Sequence, residues 1–542
     1  MTAGFHMWDY VVFIAYAILI LGVGLWVSRD KKGHQKNAED YFLASKSLPW
    51  WAIGTSLIAA NISAEQFIGM SGSGFALGIA IASYEWMAAL TLIIVGKYFL
   101  PIFIEKGLYT IPEFVEKRFS TNLKTILAVF WLALYIFVNL TSVLYLGGLA
   151  IETIMGVDMI YAVIGLALFA AAYSLYGGLS AVAWTDVIQV VFLVLGGLVT
   201  TYLALNTVSG GEGMLAGFSK VWEAAPEKFH MILDESNDNY INLPGIWVLV
   251  GGLWVANLYY WGFNQYIIQR TLAAKSLKES QKGILLAAFL KLVIPLIVVV
   301  PGIAAYVMVN DPSIMANLGG AGMLNIPSAE QADKAYPWLL QFLPTGLKGV
   351  AFAALAAAVV SSLASMLNST STIFTMDIYK QYIDKNANDK KTVNVGRISA
   401  GVALLIAVII APMLSGLDQA FQYIQEFTGM VSPGILAVFI LGLFWKKTTN
   451  NAAIWGAVLS IPIALALKFI PIPGLEPWMH QMGITAVLSM VIIMVLSQMQ
   501  NKGADDSKGI EITKDLFKTT PLFNIGSIVI CILLVVLYTL FW

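Results

Sequence analysis

Ala59-Ala60-Asn61-Ile62-Ser63-Ala64-Glu65-Gln66, followed by Gly69-Met70-Ser71-Gly72-Ser73-Gly74, interrupts a hydrophobic run that extends from Leu48 to about Leu77. The run is long enough to cross a bilayer, for which about 20 apolar residues suffice. In hydrocarbon an unsatisfied polar group is expensive, so Asn61, Ser63, Glu65, Gln66 and the three glycines need a reason to be there. Irregular backbone survives at membrane depth only where it is buried in protein or lines a watery cavity. An intramembrane carboxylate such as Glu65 marks a functional site by default. The stretch therefore predicts a polar site in mid-membrane.

The rest of the chain supports a membrane setting. Of 542 residues, 58% are hydrophobic and 12% charged, against ~45–50% and ~25% in soluble globular proteins. Apolar runs predict about fourteen spans, near 8–28, 48–75, 79–103, 124–152, 157–176, 182–206, 244–268, 283–309, 347–378, 396–414, 421–445, 451–469, 481–499 and 521–541. That leaves no room for a soluble catalytic domain. A net charge of −1 suggests no nucleic-acid partner, and the single cysteine, Cys531, excludes a disulfide framework and a thiolate metal site. Positive charges follow the first apolar run instead of preceding it, so it reads as a span and not as a cleavable signal.

Basic residues alternate with the spans. Arg29, Lys31, Lys32 and Lys36 follow span one; Lys106, Lys117, Arg118 and Lys124 follow span three; Arg270, Lys275, Lys278 and Lys282 follow span seven. Lys380, Lys385, Lys390 and Lys391 follow span nine, Lys446 and Lys447 span eleven, and Lys502, Lys508, Lys514 and Lys518 span thirteen. About 24 of the 31 Lys and Arg fall on that side and about five on the other. By the positive-inside rule both termini are predicted outside the membrane. Two long outer loops, 207–243 and 310–346, could cap the outer mouth, although surface loops with no ligand role are the commoner case.

A weak internal symmetry carries the architecture. Five spans after the first break, span seven contains Val255-Ala256-Asn257-Leu258-Tyr259-Tyr260-Trp261-Gly262. Polar, glycine-containing interruptions in corresponding spans point to an inverted-repeat transporter, with its site at the breaks. Half-helix ends there expose carbonyls that can hold a cation.

In span nine, Ser361, Ser365 and Ser369 share one helix face. Small hydroxyl residues are also common packing glue in membranes, so the stripe has two readings. In the functional one, Ser361 and Ser362 offer neutral oxygens to a hard monovalent cation, completed by carbonyls at the break. Asp186 either supplies the balancing charge or serves as a helix N-terminal carboxylate. Glu85, Lys291 and Gln425, with Asn61, Gln66 and Asn257, combine donors and acceptors with roughly no net charge. No arginine is expected in mid-span, which disfavours an acidic solute. A neutral polyhydroxylated molecule suits this inventory, with Tyr84, Tyr260, Trp261 and Phe421 as aromatic faces or gates. Lys291 could equally be the structural partner of a nearby acid. His6, His34, His230 and His480 all lie outside the spans, so neither a zinc-protease helix nor a histidine relay is present. A channel finds no repeated filter sequence.

At these residues the chain resembles the sodium:solute symporter family, and most of all its sugar-carrying branch. The resemblance rests on Trp50-Trp51 through Phe67, on Tyr84-Glu85-Trp86, and on Tyr176-Gly177-Gly178-Leu179-Ser180-Ala181-Val182-Ala183-Trp184-Thr185-Asp186. Asn257 through Gln265 and Phe421-Gln422-Tyr423-Ile424-Gln425-Glu426 extend it. It implies an all-α polytopic protein of the leucine-transporter type, with a five-plus-five inverted-repeat core near 48–206 and 244–445. It implies sodium symport of a neutral hexose such as galactose or glucose, with inositol, an amino acid or sialic acid as alternatives, and no cofactor beyond the coupling ion. Sodium would be held by the carbonyls of Ala59, Ile62 and Ala358 and the hydroxyls of Ser361 and Ser362, supported by Asp186. Gln66, Glu85, Asn257 and Lys291, with Asn61 and Gln425, would hold the sugar. Tyr260 would be the inner gate, and Met70, Tyr84 and Phe421 the outer gate. Ala88 stands where the galactose type has a serine, so one hydroxyl contact is absent. Glu65 is left with a structural hydrogen-bonding role, and a homodimer is compatible with the reading.

Overall fold

The computed structural model describes residues 5–27, 44–108, 110–318, 325–415 and 419–542, without the side chains of residues 45, 173–178, 180 and 181. The basic loop after span one, and most of the run from Tyr176 to Ala181, therefore lie outside the described residues. Among the described residues the architecture is helical throughout, and eleven helices are long and apolar enough to cross a membrane. This is a multi-pass membrane protein.

The polar break of the opening stretch is real. A helix, Trp50–Asn61, stops at Ile62, whose backbone is extended (φ −78°, ψ 92°), and helix resumes at Glu65. The helical run Glu65–Glu105 then holds two antiparallel pieces. Gly78 turns the chain with φ +81°, a conformation that glycine adopts without a Cβ penalty. The helix Leu277–Asn310 records the reversal. A Cβ on Gly54 would sit 2.7 Å from the Gly283 carbonyl, and Gly302 packs on Ser71, so residues 50–77 run parallel to that helix. Trp86 Nε1 donates to Leu292 (3.3 Å) and Gln281 Nε2 to the Gly96 carbonyl (3.0 Å), so residues 83–105 run antiparallel to it. Small residues at both crossings let the backbones approach closely, the usual basis of packing where lipid supplies no hydrophobic drive.

Spans five and six emerge as one helical run, Met159–Ser209. A straight helix would hold Leu166 and Phe192 about 39 Å apart. Yet Leu166 lines a cavity with Tyr16, and the Phe192 ring packs 4.8 Å from that same tyrosine. The run folds back between them.

The partner break lies elsewhere than expected. Asn257 sits within the helical piece Leu253–Leu258. The chain opens instead at Gly251 (φ −117°, ψ −130°) and at Asn264 (φ −88°, ψ 120°). Aromatic residues 259–261 kept the helix wound past Asn257, and the glycine and asparagine on either side released it. The outer loops are also less superficial than expected. All six residues of Ala335–Leu340 are buried, the Tyr336 ring packs on Phe67 (5.2 Å), and Asp333 accepts from the Ala420 N–H (2.9 Å). The loop 207–243 reaches the same end of the bundle, where Lys228 Nζ donates to the Ala76 carbonyl (2.7 Å). Both ends of the chain are pinned there as well: Asp9 accepts from the Gly346 N–H (2.7 Å), and the Met231 N–H donates to the Phe541 carbonyl (2.7 Å).

Candidate functional site

Asn61, Glu65 and Gln66 at the first break and Ala256, Asn257, Tyr260 and Trp261, from the helical stretch between the two openings of the second segment, face each other across a cavity. Asn61, Gln66, Glu85, Asn257 and Gln425 all line it, as do Tyr84, Tyr260 and Phe421. Four separate stretches of the chain thus converge. Glu65, Ala88, Ala256, Trp261 and Thr428 complete the wall, Thr428 being unanticipated. Two residues stand back from it: Met70 is fully buried, and Lys291 lies behind the wall with no exposed surface.

Lys291 is nonetheless the pivot. Its ammonium forms an ion pair with Glu85, donates to Asn61 Oδ1, and lies 5.1 Å from the centre of the Trp261 ring. Both sequence readings of Lys291 hold together, since it is the partner of a nearby acid and part of the polar cluster. Burying either charge alone would be prohibitive, and the pair with its extra hydrogen bonds makes burial tolerable. Asn61 then passes the network on, its Nδ2 donating to the Tyr260 hydroxyl (3.0 Å). Tyr266 also donates to that hydroxyl (2.6 Å). Tyr260 is therefore held at the cavity floor by residues from both breaks. On another wall Tyr84 and Phe421 meet edge to face, with ring centres 5.1 Å apart. Gln66 secures the first break by accepting from the Ser63 N–H (3.0 Å), and Asn257 donates to the Leu253 carbonyl (3.2 Å).

The end of Trp50–Asn61 provides oxygens of a different kind. The Ser63 N–H, which would bond the Ala59 carbonyl if the helix continued, turns to Gln66. Across the gap Ser362 Oγ donates to the Ala60 carbonyl (3.2 Å), bringing the helix Leu347–Ile373 against the break. Neighbouring Ser361 donates to Asp186. Backbone carbonyls, two hydroxyls and a carboxylate are thus gathered in one buried place, a donor set suited to a hard cation.

Asp186 is fully buried. It accepts from Ser56 (2.5 Å) and forms an ion pair with Arg270 (3.3 Å). Arg270 follows span seven as expected, but it is not a solvated loop residue. The helix Gln265–Leu272 is buried along its whole length. Its low hydropathy hid it, but Gln265, Gln269 and Arg270 were a legible signal, because three such side chains beside a break need buried partners. Arg270 finds them in Ser56 (2.7 Å), Ser365, Asp186 and the Tyr266 carbonyl. The serine stripe is accounted for in the same way: Ser361 binds Asp186, Ser365 receives Arg270, and Ser369 donates to Gln269 (3.1 Å). It bonds across helices and does not simply ease their packing.

Comparison with known proteins agrees with this architecture. Residues 41–460 match the model of the Sodium:solute symporter family. A sodium/glucose cotransporter of Vibrio parahaemolyticus is 69% identical over 539 residues, covering 99% of each chain. A human sodium/myo-inositol cotransporter 2 is 32% identical over 522 residues, covering 91% of this chain and 76% of its own length. A substrate-bound, outward-open Na⁺-coupled sialic acid symporter superposes with a TM-score of 0.78 over 91% of this chain and 98% of its own, at 23% identity, and so shares the fold. Family match and near-full-length identity lead to one assignment: the chain belongs to the sodium:solute symporter family.

Proposed function

We propose that this protein couples sodium entry to uptake of a neutral hexose, galactose or glucose, across the inner membrane. The observation that carries the reading is the cavity wall. Glu85 is matched by the Lys291 behind it, Glu65 is the one unmatched acid of the wall, and among the described residues no lysine or arginine lines it. The remaining polar groups mix donors and acceptors beside the rings of Tyr84, Tyr260, Trp261 and Phe421. A few placed polar groups among apolar and aromatic surface are what a small-molecule site requires. In this reading Gln66, Glu85, Asn257 and Gln425 contact the sugar, and Lys291 and Asn61 hold Glu85 and Tyr260 in place. Tyr260 closes the inner side, and Tyr84, Phe421 and Met70 the outer.

Sodium takes the neighbouring oxygens: the carbonyls of Ala59, Ile62 and Ala358 and the hydroxyls of Ser361 and Ser362, with Asp186 beside them. Its site spans the first break and the helix Leu347–Ile373, so it favours whichever arrangement of those two elements completes its shell. An ion shifts a conformational equilibrium only by such a difference in affinity. Eleven apolar helices, with the Gly78 reversal, the fold-back within Met159–Ser209 and the broken segment 247–272, support about fourteen crossings. The interrupted helices at Ile62 and at Gly251 and Asn264 support a five-plus-five inverted repeat near 48–206 and 244–445, and the basic loops support both termini outside.

The test is uptake of labelled galactose and glucose into proteoliposomes, with and without an inward sodium gradient. Sodium-driven accumulation of either sugar is expected. Uptake indifferent to sodium, or driven equally by a proton gradient, would sink the coupling claim. Because the myo-inositol cotransporter is a relative, inositol is included as a competitor; preference for it over both hexoses would replace the sugar assignment.

A further inference from the structure

Glu65 differs from every other charged group at the cavity. Glu85 is matched by Lys291, and Asp186 by Arg270. Glu65 is 95% buried, lines the cavity, and has no hydrogen-bond partner for Oε1; among the described residues no ion pair reaches it. The expected structural hydrogen bond is made by its backbone alone, the N–H donating to Ser63 Oγ (3.1 Å). That bond holds the residue beside the break and takes up none of its carboxyl group.

A carboxylate buried without donors is among the costliest arrangements a protein can hold, and such orphaned groups call for an explanation. An ionised carboxylate only accepts hydrogen bonds. The occupant that satisfies it therefore brings donors. A sugar presents hydroxyls around its whole ring, and hydroxyl-to-carboxylate bonds are among the strong, charge-assisted class. Ala88 on the same wall offers no polar group, so it cannot share this task.

We propose that Glu65 accepts a hydrogen bond from one particular sugar hydroxyl and is a selectivity-determining residue of the site. The proposal rests on the hexose reading above. Its test is equilibrium binding to the purified full-length protein in sodium. Galactose, glucose and their monodeoxy derivatives are compared for the wild type, Glu65→Gln and Glu65→Ala.

Sodium-dependent binding of galactose or glucose by the wild type checks the hexose reading by itself; if neither binds, that reading and this proposal fall together. With binding established, Glu65→Ala is expected to weaken the parent sugar about 10- to 100-fold, and Glu65→Gln by less. One monodeoxy sugar should bind the wild type and Glu65→Ala equally, because the hydroxyl concerned is already gone. The others should keep the full loss. Equal loss for every monodeoxy sugar would mean a structural role and overturn the proposal, as would no loss at all. Thermal unfolding checks that each variant is folded, and Glu65→Gln carries the same deoxy-sugar test if Glu65→Ala is not.

Discussion

Lys291–Glu85 and Arg270–Asp186 are both buried ion pairs, yet they are surrounded differently. Around Asp186 and Arg270 the remaining hydrogen-bonding capacity is taken by Ser56, Ser361, Ser365 and the Tyr266 carbonyl. That pair ties the helices Trp50–Asn61 and Gln265–Leu272 to the helix Leu347–Ile373. The Lys291 pair has fewer protein partners and one member in a cavity wall, with Asn61 and Tyr260 continuing the network. A pair saturated by protein holds elements together. A pair with one open side can exchange hydrogen bonds with a ligand. The difference lies in the neighbours, since isolated charges of either sort pay the same desolvation penalty.

The largest expected effect breaks the saturated pair. Arg270→Ala leaves Asp186 charged and alone, which should destabilise the protein by about 3–5 kcal/mol. Thermal unfolding in lipid nanodiscs measures this, and the double variant Asp186→Ala, Arg270→Ala should recover part of it. A stable Arg270→Ala would end the view that this pair is a structural tie.

Next comes the open pair. Lys291→Ala should weaken sugar binding by about 2–3 kcal/mol, roughly 30- to 150-fold. Sodium binding without sugar, read by sodium-dependent stabilisation, should change far less. Equal losses for both ligands would erase the contrast between the pairs.

Ser362→Ala is expected to raise the sodium concentration for half-maximal uptake about tenfold, near 1.4 kcal/mol, with sugar affinity retained at saturating sodium. Unchanged sodium dependence would remove Ser362 from the ion site. The smallest effect concerns Ala88→Ser, which adds a hydroxyl to the cavity wall. It should tighten galactose relative to glucose within about 1 kcal/mol, or fivefold; competition binding with both sugars shows whether the preference moves at all.

Much of this was legible in the chain. The break at Asn61–Gln66 and the polar cluster follow from hydropathy, because hydrocarbon tolerates polar groups only for cause. Arg270 was not legible in the same way. It ends a weakly apolar stretch beside a lysine-rich loop, and a linear reading cannot distinguish a solvated arginine from one buried by three other helices. The second break was displaced for a similar reason. Asn257 is polar but helical, whereas Asn264 follows an aromatic run and opens the backbone only where Tyr135 engages its side chain.

The sequence by itself determined that the protein spans a membrane many times, which spans are interrupted, and which residue types gather at the interruptions. These are properties of composition and spacing, and the bilayer acts on them locally. Only the tertiary structure decided which charges pair, that Lys291 stands behind Glu85, that Arg270 belongs to Asp186, and that Glu65 faces the cavity without a partner. Pairing depends on which helices come within a few ångströms of each other, and residues 206 or 84 positions apart carry no mark of that in the chain.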